Sequence, residues 1–132
     1  MLVASQIKVA DIAPSYALVR LAYPSLDLAE WVEYVRRQCD GDDSGILSVV
    51  SSRSVIFGLA PWWLRPGLEF ASILWSGPLI VVEPGAQGRI REMLAAELLE
   101  TAWEKGCACI YTVQPGDVPG SISLMSITPE PR

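Results

Sequence analysis

The chain contains no histidine, and only three cysteines, three methionines and two phenylalanines among its 132 residues. Without His, Ser-His-Asp and Cys-His catalysis are excluded, and the commonest general base near neutral pH is missing. Cys39, Cys107 and Cys109 are an odd number for a disulfide framework. With no His and no second Cys pair they do not make a zinc site, so no metal is expected. Cys107-Ala108-Cys109 lies in an apolar run, and we expect the two thiols to pack on opposite faces of a strand. Positive charge is also scarce, with 10 Lys and Arg against 15 Asp and Glu and a net charge of −5. That argues against a nucleic-acid partner or an anionic membrane surface, which require clustered Lys and Arg. Ser, Gly, Pro or Glu interrupts every apolar stretch well short of the roughly 20 residues a membrane span needs. The first residues lack a charged segment followed by a long apolar run, so no signal peptide is expected and the reading is cytoplasmic.

What is present is a globular composition, 51% apolar and 19% charged, in a length that fits one domain spanning residues 1–132. Gln6 to Ala10 alternate and suit a short strand. Pro14 suits the first turn of a helix, with Leu18, Leu21 and Ala22 as its apolar stripe; Tyr23-Pro24-Ser25 breaks it. Asp27 followed by Glu30 has the form of a capping box, and Leu28, Trp31, Val32 and Val35 follow at helical spacing up to Arg36-Arg37. Ile46–Val50 and Val55–Ala60 flank the polar turn Ser51–Ser54 and read as a hairpin. The segment 61–67, with Trp62 and Trp63, reads as a loop. Trp62 and Trp63 suit an acceptor pocket, a cover for the sheet end or a dimer contact. Phe70–Val82 is an extended segment broken at Gly77-Pro78, a bulge or an edge position because Pro cannot donate to a ladder. From Gln87 to Lys105, Ile90, Leu94, Leu98 and Ala102 form one helical stripe, closed by Gly106 as C′. Cys107–Val113 then reads as a buried strand, and strand, turn, helix, strand predicts a parallel pair. Ser121–Thr128 fits either a strand or a short helix.

The candidate chemistry sits at the turn before the long helix. Pro84-Gly85-Ala86-Gln87-Gly88-Arg89 brings backbone N–H groups to a helix N-terminus, where phosphates bind readily, and Arg89 and Arg91 add positive charge. A glycine-rich turn with solvated arginines is the equal alternative on these residues alone. Glu83 beside it would repel a phosphate and is expected to point away.

Val82-x-Pro84-x-x-Gln87-Gly88-Arg89, the helix ending Ala102-x-x-x-Gly106 and the apolar strand after it resemble the acyl-CoA motif of the GNAT (general N-acetyltransferase) superfamily. The hairpin Ile46–Val50 and Ser54–Ala60, with Gly58, resembles the one upstream of that motif. Val113-Gln-Pro-Gly-Asp117 resembles the segment that leads to the last core helix. The resemblance implies an α/β GNAT-like mixed sheet, with a splayed parallel strand pair flanked by helices, in a C-terminally shortened member. It implies acetyl-CoA as co-substrate and an amine of unknown identity as acceptor. Backbone groups of Ile80, Val81 and Val82 would pair with pantetheine, and those of Gln87, Gly88, Arg89 and Ile90 would hold the pyrophosphate. The departures are specific. Ser72 stands where many members carry a Glu base, and Leu124 and Met125 stand near the place of a Tyr acid. Glu69 is nearby, and Ile90-Arg91-Glu92 replaces further small residues. Ser72 and Tyr111 are the catalytic candidates, although for Tyr111 a buried aromatic packed against a helix is the better reading. The function implied is an acyl-CoA-dependent N-acetyltransferase. The alternatives are a catalytically inactive GNAT-like binding or dimerisation module, or an unrelated small α/β domain. A homodimer is expected, with Ser121–Thr128 at an otherwise unpaired sheet edge.

Overall fold

The computed structural model describes residues 1–66, 72–83, 85, 88–115 and 122–127, with the backbone alone for 108 and from 113 onward. The elements run β1 (Leu2–Gln6), α1 (Val9–Ala22), α2 (Leu28–Gln38), β2 (Ser44–Ser51), β3 (Ile56–Pro66), β4 (Ser72–Ser76), β5 (Ile80–Val81), α3 (Arg89–Glu104), β6 (Cys107–Pro115) and β7 (Ile122–Ile127). The seven strands form one mixed sheet of order β1-β2-β3-β4-β6-β7, with β5 paired to β3. All ladders are antiparallel except that between β4 and β6.

Period-2 alternation sorts the sheet into two faces. Leu47 and Val49 of β2, Ala60 and Trp62 of β3, Leu74 of β4 and Ile110 of β6 pack against Ile90, Leu94, Leu98 and Ala102 of α3. The helical stripe read from the sequence is therefore the buried one. The other face presents Ile46 and Leu59 to Leu18 and Val19 of α1 and Trp31 and Val35 of α2. Gly58 lets α3 approach: a Cβ there would lie 2.7 Å from Ile90 Cγ2 and 3.0 Å from Leu94 Cδ1.

The capping box forms as predicted. Asp27 Oδ1 accepts from Glu30 N at 2.7 Å, and Glu30 Oε1 accepts from Asp27 N at 3.1 Å. Gly106 follows α3 with φ 69°, the left-handed conformation that closes a helix. Leu28 and Val32 are 44% and 40% exposed, so the buried stripe of α2 narrows to Trp31 and Val35.

Several expectations are corrected. The first strand is Leu2–Gln6, and Val9 and Ala10 open α1, which leaves Pro14 inside the helix rather than in its first turn. The helix starts tightly, with Asp11 N bonded to Lys8 O at 2.9 Å, and Asp11 suits its positive end. The expected loop 61–67 is strand through Pro66. Trp62 is a core residue, 3% exposed, with its indole donating to Gln6 Oε1 at 3.3 Å. Ser121–Thr128 contains a strand: Ile122–Ile127 folds back along β6 in register Pro115↔Ile122 to Ile110↔Ile127. The segment holding Leu124 and Met125 is thus not a helix. Regular pleating would put Cys107 and Cys109 on one face. A register shift sets Cys107 opposite Ser72 and Cys109 opposite Ile73, consecutive residues of β4, and the Cys107 thiol still feels Cys109.

Candidate functional site

The parallel ladder is short, and its end defines the site. The extended segment Phe70–Val82 was expected to run parallel to Cys107–Val113 and, by the resemblance, to splay from it at its C-terminal end. Its stretch Ser72–Ser76 carries the parallel pairing, from Ser72↔Cys107 to Ser76↔Thr112. Beyond Ser76 the chain leaves β6 and stays with β3, through Leu59↔Ile80, Gly58↔Val81 and a 2.8 Å bond from Val82 N to Phe57 O. Meanwhile β6 continues to Pro115 beside β7. A gap therefore opens between Ile80–Val82 and the C-terminal half of β6. Among the described residues no strand pairs with the edge of β5 that faces it.

Two prolines interrupt the ladders at this point. Pro61 of β3 lies opposite Gly77 and accepts from its N–H at 2.8 Å, but it has no N–H to return. Gly77 O takes the Ser76 hydroxyl instead, at 3.0 Å, and Ser76 is fully buried. Pro78 then removes the next donor. Gly77 also permits the close contact, since a Cβ there would lie 2.9 Å from Pro61 Cγ.

The N-terminus of α3 follows. Gly88 takes φ 67° at the N-cap position. Glu83 does not point away. Its Oε2 accepts from Ile90 N and its Oε1 from Arg91 N, both at 3.1 Å. An internal carboxylate thus holds two N–H groups of the kind that bind phosphate, one of them on Ile90, a residue implicated by the resemblance. Arg89 is exposed beside it. Gln87 lies outside the described residues, as do Pro84, Ala86, Glu69 and Asp117.

Ser72 begins β4, four residues before the parting at Ser76, a separation of roughly 13 Å along a strand. Tyr111 is one residue from the end of the parallel ladder. It stacks on Trp75 with ring centroids 4.9 Å apart. Trp63, Trp75 and Tyr111 occupy neighbouring register positions across β3, β4 and β6. Sequence reading missed this row because the strands that form it are separated by unpredictable pairings; alternation within each strand was its only signal.

A cavity of about 320 Å³ opens beside the break, between the sheet and helices α1 and α2. Val19, Tyr23, Trp31, Tyr34, Trp63 and Ile80 are among its walls, together with Gly77 and Pro78. No Asp, Glu, Lys or Arg among the described residues lines it. Burial pushes the Tyr34 phenol up, with Tyr23 adding to the shift, so Tyr34 stays a neutral donor. Burial also pushes up the thiols of Cys39 and Cys107, the reverse of what a nucleophile needs. Among the described residues no cluster of three or more metal-ligating side chains occurs, and no helix is long and apolar enough to cross a membrane.

No family model matches the sequence, and no curated protein is significantly similar to it. Solved structures do resemble the fold. An aminoglycoside N-acetyltransferase in complex with CoA superposes with a TM-score of 0.75 at 14% identity, over 90% of this chain and 78% of that one. An acetyltransferase of Trypanosoma brucei gives 0.68 at 17% identity, over 85% and 82%. The glucosamine-6-phosphate N-acetyltransferase of Arabidopsis thaliana gives 0.69 at 11%, over 89% and 84%.

Proposed function

This chain has the GNAT fold, and on that basis we propose that it is an acyl-CoA-dependent N-acetyltransferase, with acetyl-CoA as co-substrate and an amine as acceptor. The observation that carries the reading is the one-sided pairing of Ile80–Val81 with β3, which turns the opposite edge toward the gap beside β6. In this reading the backbone of Ile80, Val81 and Val82 pairs with the amide-bearing pantetheine arm. Gln87, Gly88, Arg89 and Ile90 receive the pyrophosphate, which displaces Glu83 from the helix end. The amine lone pair attacks the thioester carbonyl carbon; a C–N bond forms, the C–S bond breaks, the amine loses a proton and the CoA thiolate gains one. Juxtaposition of the two reactants supplies much of the rate. Tyr111, one residue from the end of the parallel ladder, is the candidate to protonate the thiolate, and Ser72 lies farther from the parting. A cytoplasmic setting belongs to the same reading.

One observation favours a second reading, a catalytically inactive GNAT-like binding module: the Glu83 carboxylate already satisfies the helix end. Calorimetry with acetyl-CoA and CoA separates the two. Saturable heat is expected for the enzyme. The absence of heat and of any thermal shift at millimolar ligand removes it. A homodimer is part of either reading, since β7 ends the sheet with β6 as its only neighbour among the described residues and unpaired edges recruit further chains.

A further inference from the structure

We infer that the cavity between the Gly77-Pro78 break and helices α1 and α2 is the acceptor pocket, and that its acceptor is an aromatic amine uncharged at neutral pH. The chemical part of this inference rests on the acyltransferase reading; the binding of the ring does not.

Position comes first. Gly77, Pro78 and Ile80 form both the cavity wall and the point where the strand leaves β6, so a ring seated there presents its substituent to the gap. Size agrees: an apolar cavity of about 150 Å³ holds benzene, and this one is about 320 Å³. The walls are aliphatic side chains and the rings of Trp31, Tyr34, Tyr23 and Trp63, suited to edge and face contacts with a third ring. Charge is the deciding point. No ionised side chain among the described residues lines the cavity, so an alkylammonium entering it would lose hydration without gaining an ion pair. It would also have to shed a proton before attacking, and the chain has no His to take it. An amine bonded directly to a ring has its lone pair delocalised and is neutral already. It attacks the thioester carbonyl carbon directly; the C–N bond forms, the C–S bond breaks, the surplus amine proton leaves to water and the CoA thiolate is protonated.

The test starts with the protein without CoA, titrated with 4-isopropylaniline and with 2-phenylethylamine, a similar ring on an alkylammonium, followed by tryptophan fluorescence and thermal shift. The arylamine is expected to bind at least tenfold more tightly. Trp63→Ala should weaken it at least fivefold. Tyr34→Ala, at a 41% exposed position, should weaken it measurably even if the Trp63 variant fails to fold. With acetyl-CoA added, the N-acetyl arylamine should accumulate in step with free thiol. Equal or tighter binding of 2-phenylethylamine overturns the neutral-amine assignment in favour of a cation held by the rings. Hexanoyl-CoA that binds more tightly than acetyl-CoA and excludes the arylamine makes the cavity an acyl-chain site and overturns the inference. Arylamine binding without acetyl-CoA binding removes the enzyme reading and leaves the pocket; acetyl-CoA binding without arylamine binding does the opposite.

Discussion

Replacing Glu83 by Ala should make the protein less stable and better at holding CoA. The carboxylate makes two bonds of 3.1 Å to Ile90 N and Arg91 N. Charge-assisted bonds of this kind reach about 1.5–3 kcal/mol each when dry. Here the Arg91 bond is exposed and the Ile90 bond partly buried, so the helix N-cap scale of about 1 kcal/mol, up to about 2, is the better guide. For a chain of this length that is a fall in melting temperature of about 3–6 °C. The same carboxylate repels a pyrophosphate aimed at those donors. Freeing them should tighten CoA by about 1 kcal/mol, a factor of about five. Glu83→Gln removes the charge while keeping one acceptor, and it should fall between the parent and Ala on both measures. Scanning calorimetry and isothermal titration on the three proteins read both quantities. An Ala variant as stable as the parent would show that the two bonds contribute nothing. Unchanged CoA affinity would place the pyrophosphate elsewhere, and weaker affinity would make Glu83 part of the binding site.

Gly58→Val should cost more than about 2 kcal/mol in chemical denaturation, because β-branched Ile90 sits 2.7 Å from the new Cβ and overpacking is not relieved by rotamer change; a loss under about 0.5 kcal/mol contradicts that packing. The Glu33 carboxyl is held at about 2 by hydrogen bonds from Arg36 and then Arg37, so NMR titration of the Arg36→Gln, Arg37→Gln double variant should return its midpoint toward 4.5. The sign follows: its contribution is present above the unfolded carboxylate value and is lost as pH falls from 4.5 to about 2. An unmoved midpoint rejects the pairing. Sedimentation at micromolar concentration should show a dimer, and a charge placed on the outer strand, Ser123→Lys, should weaken it; a clean monomer removes the edge-pairing reading.

The legible parts of the sequence were those governed by local periodicity. The α3 stripe of Ile90, Leu94, Leu98 and Ala102, the Asp27–Glu30 box and the Gly106 stop each depend on residues within a few positions of one another. Pairing was less legible. The parallel pairing expected of Phe70–Val82 stops at Ser76 and Ile80–Val81 pairs with β3, a residue-level end point that depends on partners far away in the sequence. Pro61-Trp62-Trp63 reads as a loop by composition, but in the fold Pro61 sits where its missing donor coincides with the end of a ladder. The aim of Glu83 depends on the turn between residue 83 and α3, and charge reasoning alone sent it outward: it weighed repulsion from an external phosphate and overlooked the unsatisfied N–H groups of the helix itself.

The gap and the cavity meet at the Gly77-Pro78 break. Pro61 has no N–H to give Gly77 O on the β3 side, and Pro78 has none to extend a ladder beyond Ser76. The buried Ser76 hydroxyl makes the interruption tolerable by satisfying Gly77 O at 3.0 Å, since an orphaned buried carbonyl would cost about 1–3 kcal/mol. A free strand edge and an apolar chamber thus meet at Gly77-Pro78, one presenting backbone amides and the other only apolar walls and phenols. On the proposed reading such a junction would hold a polar, extended ligand and a neutral, ring-sized one side by side. Among the described residues its cavity has no ionised side chain to take a proton from an ammonium, so the proposed reading expects acceptors that arrive with their lone pair free.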